Sequence, residues 1–144
     1  MLKNIPCILS PKLLKILMEM GHGDELFIAD GNFPGASMAR HLVRLDGHGV
    51  PEVLEAVLKL FPLDIYVETP VVLMQVVPGD NIQTPIWDEY DRIIRASGEK
   101  FNGFEKVERV AFYERAKSAY AVIATSESSL YANVILKKGC VIVS

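Results

Sequence analysis

The chain is poor in the residue patterns that announce most kinds of chemistry. It has two cysteines, Cys7 and Cys140, near opposite ends and with no CxxC or metal-ligand spacing. That excludes a disulfide scaffold and a cysteine-held zinc site, and it predicts two reduced, packed thiols. No apolar run approaches the ~20 residues that a membrane helix needs. The opening Met-Leu-Lys-Asn-Ile-Pro-Cys holds no signal core. The expectation is a cytoplasmic protein with no membrane partner. Basic clusters are nearly absent: only Lys137-Lys138 and the Arg92/Arg95 pair stand out, on a net charge of −3, so nucleic acid is not an expected partner. A phosphate-cradling glycine loop and a Gly-x-Ser-x-Gly elbow are both missing. His22, His41, His48 and Asp46 show neither i, i+4 nor His-x-His spacing, so no metal and no cofactor are expected.

What remains is half apolar, enough for a core in one domain over residues 1–144. Ser10-Pro11 opens a helix, with Leu13, Leu14, Leu17 and Met18 as its apolar stripe and Gly21 as a left-handed stop. Leu26–Ala29, Val71–Met74 and Ala121–Ala124 are apolar at successive positions, as strands covered on both faces must be. Leu42–Leu45 is a further strand, closed by Asp46-Gly47. Helices are predicted from Pro51 to about Phe61, from Pro85 to near Gly98, and over Ala111–Ala119. Short strands are predicted over Val107–Val110, Tyr131–Lys137 and Cys140–Val143. This alternation describes a three-layer α/β/α domain with a central mixed, largely parallel sheet.

Three places hold usable chemistry. His22 stands between Gly21 and Gly23 with Asp24 close by, and an imidazole with an ordinary pKa of about 6.5 suits general acid/base work. Asp30 ends the Leu26–Ala29 strand, where open α/β sheets bind ligands, although Asp30-Gly31-Asn32 is equally good turn chemistry. Phe33-Pro34 beyond it is either a ring-stacking wall or a loop anchor. Tyr131 and Asn133, two residues apart on a predicted strand, share a face and offer a donor and an acceptor each. His22 and Asp30 thus sit at opposite ends of one rigid element.

Taken together, Met20-Gly21-His22-Gly23-Asp24 with Asp30, Ala111–Ala116 and Tyr131–Gly139 resemble the D-ribose pyranase and L-fucose mutarotase family over nearly the whole chain. The resemblance implies a homo-oligomer, commonly a decameric ring, with sites near subunit boundaries. It implies His22 as proton donor and Asp30, Arg109, Tyr131, Ala132 and Asn133 as sugar contacts. Arg109 ahead of Phe112-Tyr113-Glu114-Arg115 is similar to the fucose branch, where the ribose branch tends to carry histidine. Gly31-Asn32 after Asp30, Ser126 before Glu127 and a slightly long tail depart from the family pattern, and the first two bear on pocket shape.

The expected reaction is interconversion of the anomers of a free monosaccharide, L-fucose or also D-ribose. A ring oxygen gains a proton while the anomeric hydroxyl loses one, and the opened aldehyde recloses on either face. His22 is the expected acid, with Asp30 either the base or its orienting partner. For these two to act on one sugar they must meet across a single anomeric carbon. A non-catalytic monosaccharide-binding or regulatory protein of sugar uptake is the alternative.

Overall fold

The computed structural model describes residues 1–144. Six strands form one sheet in the order β2-β5-β1-β6-β3-β4. They are β1 (Glu25–Ala29), β2 (Leu42–Leu45), β3 (Val71–Met74), β4 (Glu105–Val107), β5 (Ala121–Thr125) and β6 (Val134–Lys137). β1, β2 and β5 pair in parallel, as do β3 and β4, while β6 runs antiparallel to both β1 and β3. Five strands therefore point one way and β6 alone is reversed, as a mixed, largely parallel sheet requires. One consequence organises the molecule: the carboxyl ends of five strands and the start of β6 lie along the same edge.

Successive side chains of a strand face opposite sides, and each side has its own helices. Leu26 and Ile28 of β1 join Ile123, Leu73 and Leu136 in the larger core, covered by α1 (Pro11–Glu19), α3 (Val50–Leu58) and α4 (Pro85–Ala96). Phe27 and Ala29 join Val72, Val122 and Ile135 in the smaller one, covered by α2 (Gly35–Met38) and α5 (Arg109–Ser118). Every residue from Leu26 to Ala29 is inaccessible to solvent, which is why the run is apolar at successive positions. On α5, Phe112 fills the smaller core while Arg115 ion-pairs with Glu25 and Glu105, tying the helix to β1 and β4.

Several local expectations need correction. Met18 is exposed and Ile16 takes its place in the core. The α1 helix ends at Met20 in an extended conformation, and Gly23 rather than Gly21 has the positive φ. The Lys138 ammonium donates to the Leu17 and Met20 carbonyls, so a distant cation satisfies the helix end instead. Helix α5 begins at Arg109, ending the short strand β4 at Val107. Residues Cys140–Val143 form no strand, and Val141, Ile142 and Val143 are exposed. Both cysteines are free and exposed, not packed. Tyr131 adopts a left-handed φ of 56°, so β6 starts only at Val134 and the shared-face argument for Tyr131 and Asn133 does not hold.

Candidate active site

At the amino edge of the sheet, His22 lies on a loop clamped by β6's continuation. Gly23 N–H donates to the Lys138 carbonyl (2.8 Å) and Lys138 N–H donates to the Asp24 carbonyl (2.8 Å). On its other side the same segment holds a second loop, because Asp64 N–H donates to the Lys137 carbonyl and Gly139 N–H to the Pro62 carbonyl. Two loops far apart in sequence are thereby pressed together, and His22 Nε2 meets Asp64 Oδ1 at 3.0 Å. Tyr66 stands beside the ring, 5.5 Å between centroids. Asp24, expected to influence the imidazole, instead accepts from the Gly21 N–H.

Asp64 is 3% exposed. Burial pushes its carboxyl upward, but the Tyr66 N–H, the His22 ring and Lys137 outweigh that and hold it below the ordinary aspartate value. A buried carboxylate 3.0 Å from Nε2 fixes the orientation of the His22 ring. The imidazole itself is 44% exposed, so its free edge faces outward.

The carboxyl edge holds the other candidates. Asp30 follows β1, with its N–H donated to Asn133 Oδ1 at 2.7 Å and its own Oδ1 accepting from Asn32 N–H at 3.0 Å. Burial raises the Asp30 carboxyl, the Asn32 and Phe33 amides pull it down, and the Glu127 carboxylate adds a smaller upward push. An aspartate displaced toward neutrality is a better base than an ordinary one. Asp30 therefore makes the turn while its side chain stays half-buried.

Asn133 accepts from the Asp30 N–H through its side-chain oxygen. Ala132 is buried, and its carbonyl accepts from Tyr90 Oη at 2.7 Å. Tyr131 donates through its phenol to Asp80 Oδ2 (2.5 Å) and its carbonyl accepts from Trp87 Nε1 (2.7 Å). Arg109, at the first turn of α5, lies over the Tyr113 ring at 5.9 Å. Tyr113 stacks on Phe33 at 5.7 Å, and Phe33 packs on the buried Phe27 at 4.5 Å. Phe33 is thus a loop anchor, and the aromatic row ties the Asp30 turn to the helix that presents Arg109.

Concavities open beside these residues. One of about 260 Å³ is bounded by Gln75, Val76, Val77, Pro78, Glu108 and Arg109. A second, about 360 Å³ and lined by no hydrophobic residue, includes Gly31, Asn32, Arg44, Asp46, Ser126 and Glu127. The residues that depart from the family pattern, Gly31, Asn32 and Ser126, all line this second cleft. A Cβ on Gly31 would come within 3.2 Å of the Glu127 carbonyl, a tight contact that this loop would have to yield to admit. The largest cleft, about 640 Å³, lies between α3 and α4, apart from both sets of candidates.

Within one chain the structure does not bring His22 and Asp30 together. The five residues of β1 separate them, roughly 17 Å at ~3.3 Å per residue. The expectation that the imidazole and the Asp30 carboxylate meet across one anomeric carbon is therefore corrected for a single chain. Asp30, Arg109, Tyr131, Ala132 and Asn133 do share an edge; His22 lies at the other with Asp64 and Tyr66. Asp64 and Tyr66 were missed in the sequence, and Tyr113 was named only within the Phe112-Tyr113-Glu114-Arg115 segment. The signal for Asp64 was an acid set between Leu63 and Ile65 in a proline-bounded loop. Of the residues weighed for metal binding, His48 pairs with Glu52 and His41 packs on Tyr120; no three His, Cys, Asp or Glu side chains are grouped to hold an ion.

A family model described as the RbsD / FucU transport protein family matches residues 3–141. The chain belongs to that family. Among its relatives is the fucose mutarotase of Homo sapiens, 52% identical, the match covering 96% of this chain and 93% of that protein. The L-fucose mutarotase of Actinobacillus pleuropneumoniae is 48% identical, with 96% of each chain covered. A crystal structure of the fucose mutarotase from Streptococcus pneumoniae in complex with L-fucose superposes with a TM-score of 0.92 at 52% identity, covering 98% of this chain and all of that one. Bacillus subtilis RbsD complexed with D-ribose shares the fold, with a TM-score of 0.74 at 22% identity and coverage of 99% and 100%.

Proposed function

We infer that this chain is an isomerase, a fucose mutarotase that interconverts the α and β anomers of free L-fucose by opening and reclosing the ring. The observation that carries this is identity of about half the residues with fucose mutarotases along nearly the full length of both chains. A single domain over residues 1–144 does the work.

The reaction needs one proton delivered to the ring oxygen and one taken from the anomeric hydroxyl, with the remaining hydroxyls held still. We assign His22 as the acid, kept in orientation by Asp64, and Asp30 as the base or its orienting partner. Arg109, Tyr131, Ala132 and Asn133 hold the sugar. Because β1 keeps His22 and Asp30 apart, the site is composite: His22 of one copy faces the Asp30 edge of a second copy. The partly open His22 ring and the partly open Asp30 carboxylate, each at a sheet edge, support that arrangement. A closed homo-oligomer such as a decameric ring repeats the same contact at every junction. Two free, exposed cysteines favour a reducing compartment, the cytoplasm. No helix is long and apolar enough to cross a membrane.

Saturation-transfer NMR on L-fucose tests the assignment. Catalytic concentrations of the protein are expected to accelerate exchange between the anomer signals, and His22→Ala to abolish the acceleration with the fold intact. Heat of fucose binding without faster exchange would overturn the enzyme reading in favour of a sugar-binding protein.

A further inference from the structure

Between β3 and α4 the chain runs from Gln75 to Thr84 without regular structure. Gln75 is still held by its N–H donated to the Val107 carbonyl. From Val76 to Gln83, however, the only hydrogen bonds to the rest of the chain converge on one atom, the Tyr131 phenol oxygen. Tyr131 Oη donates to Asp80 Oδ2 at 2.5 Å and accepts from Val77 N–H at 3.1 Å. Asp80 N–H in turn donates to the Val77 carbonyl at 3.0 Å, with Gly79 at φ 94° completing the turn. Both ends of the turn are thereby pinned to a single hydroxyl.

The phenol can do this because Tyr131 is itself immobilised. Its left-handed φ of 56° is an unfavourable conformation for a residue with a Cβ. Trp87 on α4 holds its carbonyl, and Tyr90 holds the next one, that of Ala132. The strained backbone turns the ring away from the sheet and onto the loop. That loop contributes Gln75, Val76, Val77 and Pro78 to the wall of the cavity that contains Arg109. The hydrogen bond to Asp80 raises the phenol's pKa while Arg109 lowers it, so both charges are felt at that oxygen.

We propose that Asp80 is a positioning residue: acting through the Tyr131 hydroxyl, its carboxylate holds the Val76–Asp80 turn as the wall of the Arg109 cavity and so sets affinity for the sugar. The proposal rests on the reading of Arg109 and Tyr131–Asn133 as sugar contacts. On this account the Tyr131 phenol is a structural latch, and its residue meets the sugar by ring and backbone. A charge-assisted hydrogen bond is short and strong, whereas an amide acceptor at the same place keeps the geometry with less strength.

Two measurements on Tyr131→Phe, Asp80→Ala, Asp80→Asn and the Asp80→Ala/Tyr131→Phe double variant test it. Amide hydrogen exchange is read at Val77 without sugar, and KM and kcat are read by anomer-exchange NMR on L-fucose. Asp80→Ala is expected to speed Val77 exchange and to raise KM about tenfold with kcat nearly unchanged, and Tyr131→Phe to speed Val77 exchange and to raise KM at least as far. The double variant is expected to be no worse than Tyr131→Phe, and Asp80→Asn to recover most of the loss. Additive losses in the double variant would overturn the proposal, because Asp80 would then act on the sugar independently of Tyr131. Faster Val77 exchange with an unmoved KM, or unchanged Val77 exchange, would also overturn it. A native protein that accelerates no anomer exchange refutes the mutarotase reading instead, and Val77 exchange then decides whether the latch exists.

Discussion

Replacing Tyr90 by phenylalanine removes one oxygen from the interior and changes no other atom. Tyr90 is wholly inaccessible, and its hydroxyl donates to the Ala132 carbonyl at 2.7 Å. Burial, then the Glu127 and Asp30 carboxylates, push this phenol far above the ordinary tyrosine range, so it remains a neutral donor under all working conditions. Phenylalanine leaves the carbonyl of a fully buried residue without this partner, a loss of about 1–3 kcal/mol. For a chain of this size each kcal/mol lowers the melting temperature by about 2–4 °C, so a fall of about 2–12 °C is expected by calorimetry. Ala132 also sits between Tyr131 and Asn133, so the fucose KM is expected to rise along with the loss of stability. A melting temperature within about 1 °C of the native value would refute the reasoning, since the carbonyl would then have no need of Tyr90.

The remaining predictions concern both sheet edges. Gly139→Ala places a Cβ 2.5 Å from the Leu63 carbonyl oxygen and 2.8 Å from the Asp64 Cα; it is expected to cost about 1–3 kcal/mol in a denaturant titration and to lower kcat by displacing Asp64 from His22. Asp64, whose carboxyl is depressed in the fold, contributes stability above its unfolded pKa of about 3.9 that is lost as pH falls through the lower folded value. The stability gap between native protein and Asp64→Asn is therefore expected to narrow in unfolding curves taken below about pH 4. Asp30 has the opposite sign: its carboxyl is raised, so protonation relieves a folding penalty while removing the base. The acid limb of kcat/KM for fucose is accordingly expected above the ordinary aspartate range, and a limb at or below about 3.9 would argue against Asp30 as the base. Arg109→His is expected to move the substrate ratio from L-fucose toward D-ribose, read by anomer exchange on each sugar separately.

The layers were legible because their cause is local. Leu26–Ala29, Val71–Met74 and Ala121–Ala124 are apolar at successive positions, and that pattern follows directly from burial on both faces. Helix starts at Pro11 and Pro85 were legible for the same reason, proline being suited to the first turn. Features set by distant partners were not. The α1 end is finished by Lys138, more than a hundred residues away, so the neighbouring glycine misled. Tyr131 leaves the strand pattern because Trp87 and Asp80 hold it in a left-handed conformation that a two-residue period cannot reveal.

The candidate site was half legible. Asp30 and Asn133 were chosen from chemistry, and the fold joins them through a 2.7 Å hydrogen bond. Asp64 was invisible because its link to His22 depends on Lys137-Lys138-Gly139 clamping two loops that no local pattern connects. The distance between His22 and Asp30 was, by contrast, readable in advance: a strand between two residues is a rigid spacer. The amino-acid pattern put them at opposite ends, and only chemical economy asked them to meet within one copy.

Complementation between two inactive variants tests that central point most directly. His22→Ala and Asp30→Asn are purified separately, mixed one to one under conditions that exchange subunits, and assayed by fucose anomer exchange. In a site built from two copies, half of the His22 positions and half of the Asp30 positions remain native, so about a quarter of sites, and about a quarter of native activity, is expected to return. A mixture as inactive as its two components, with subunit exchange verified, would contradict the composite site.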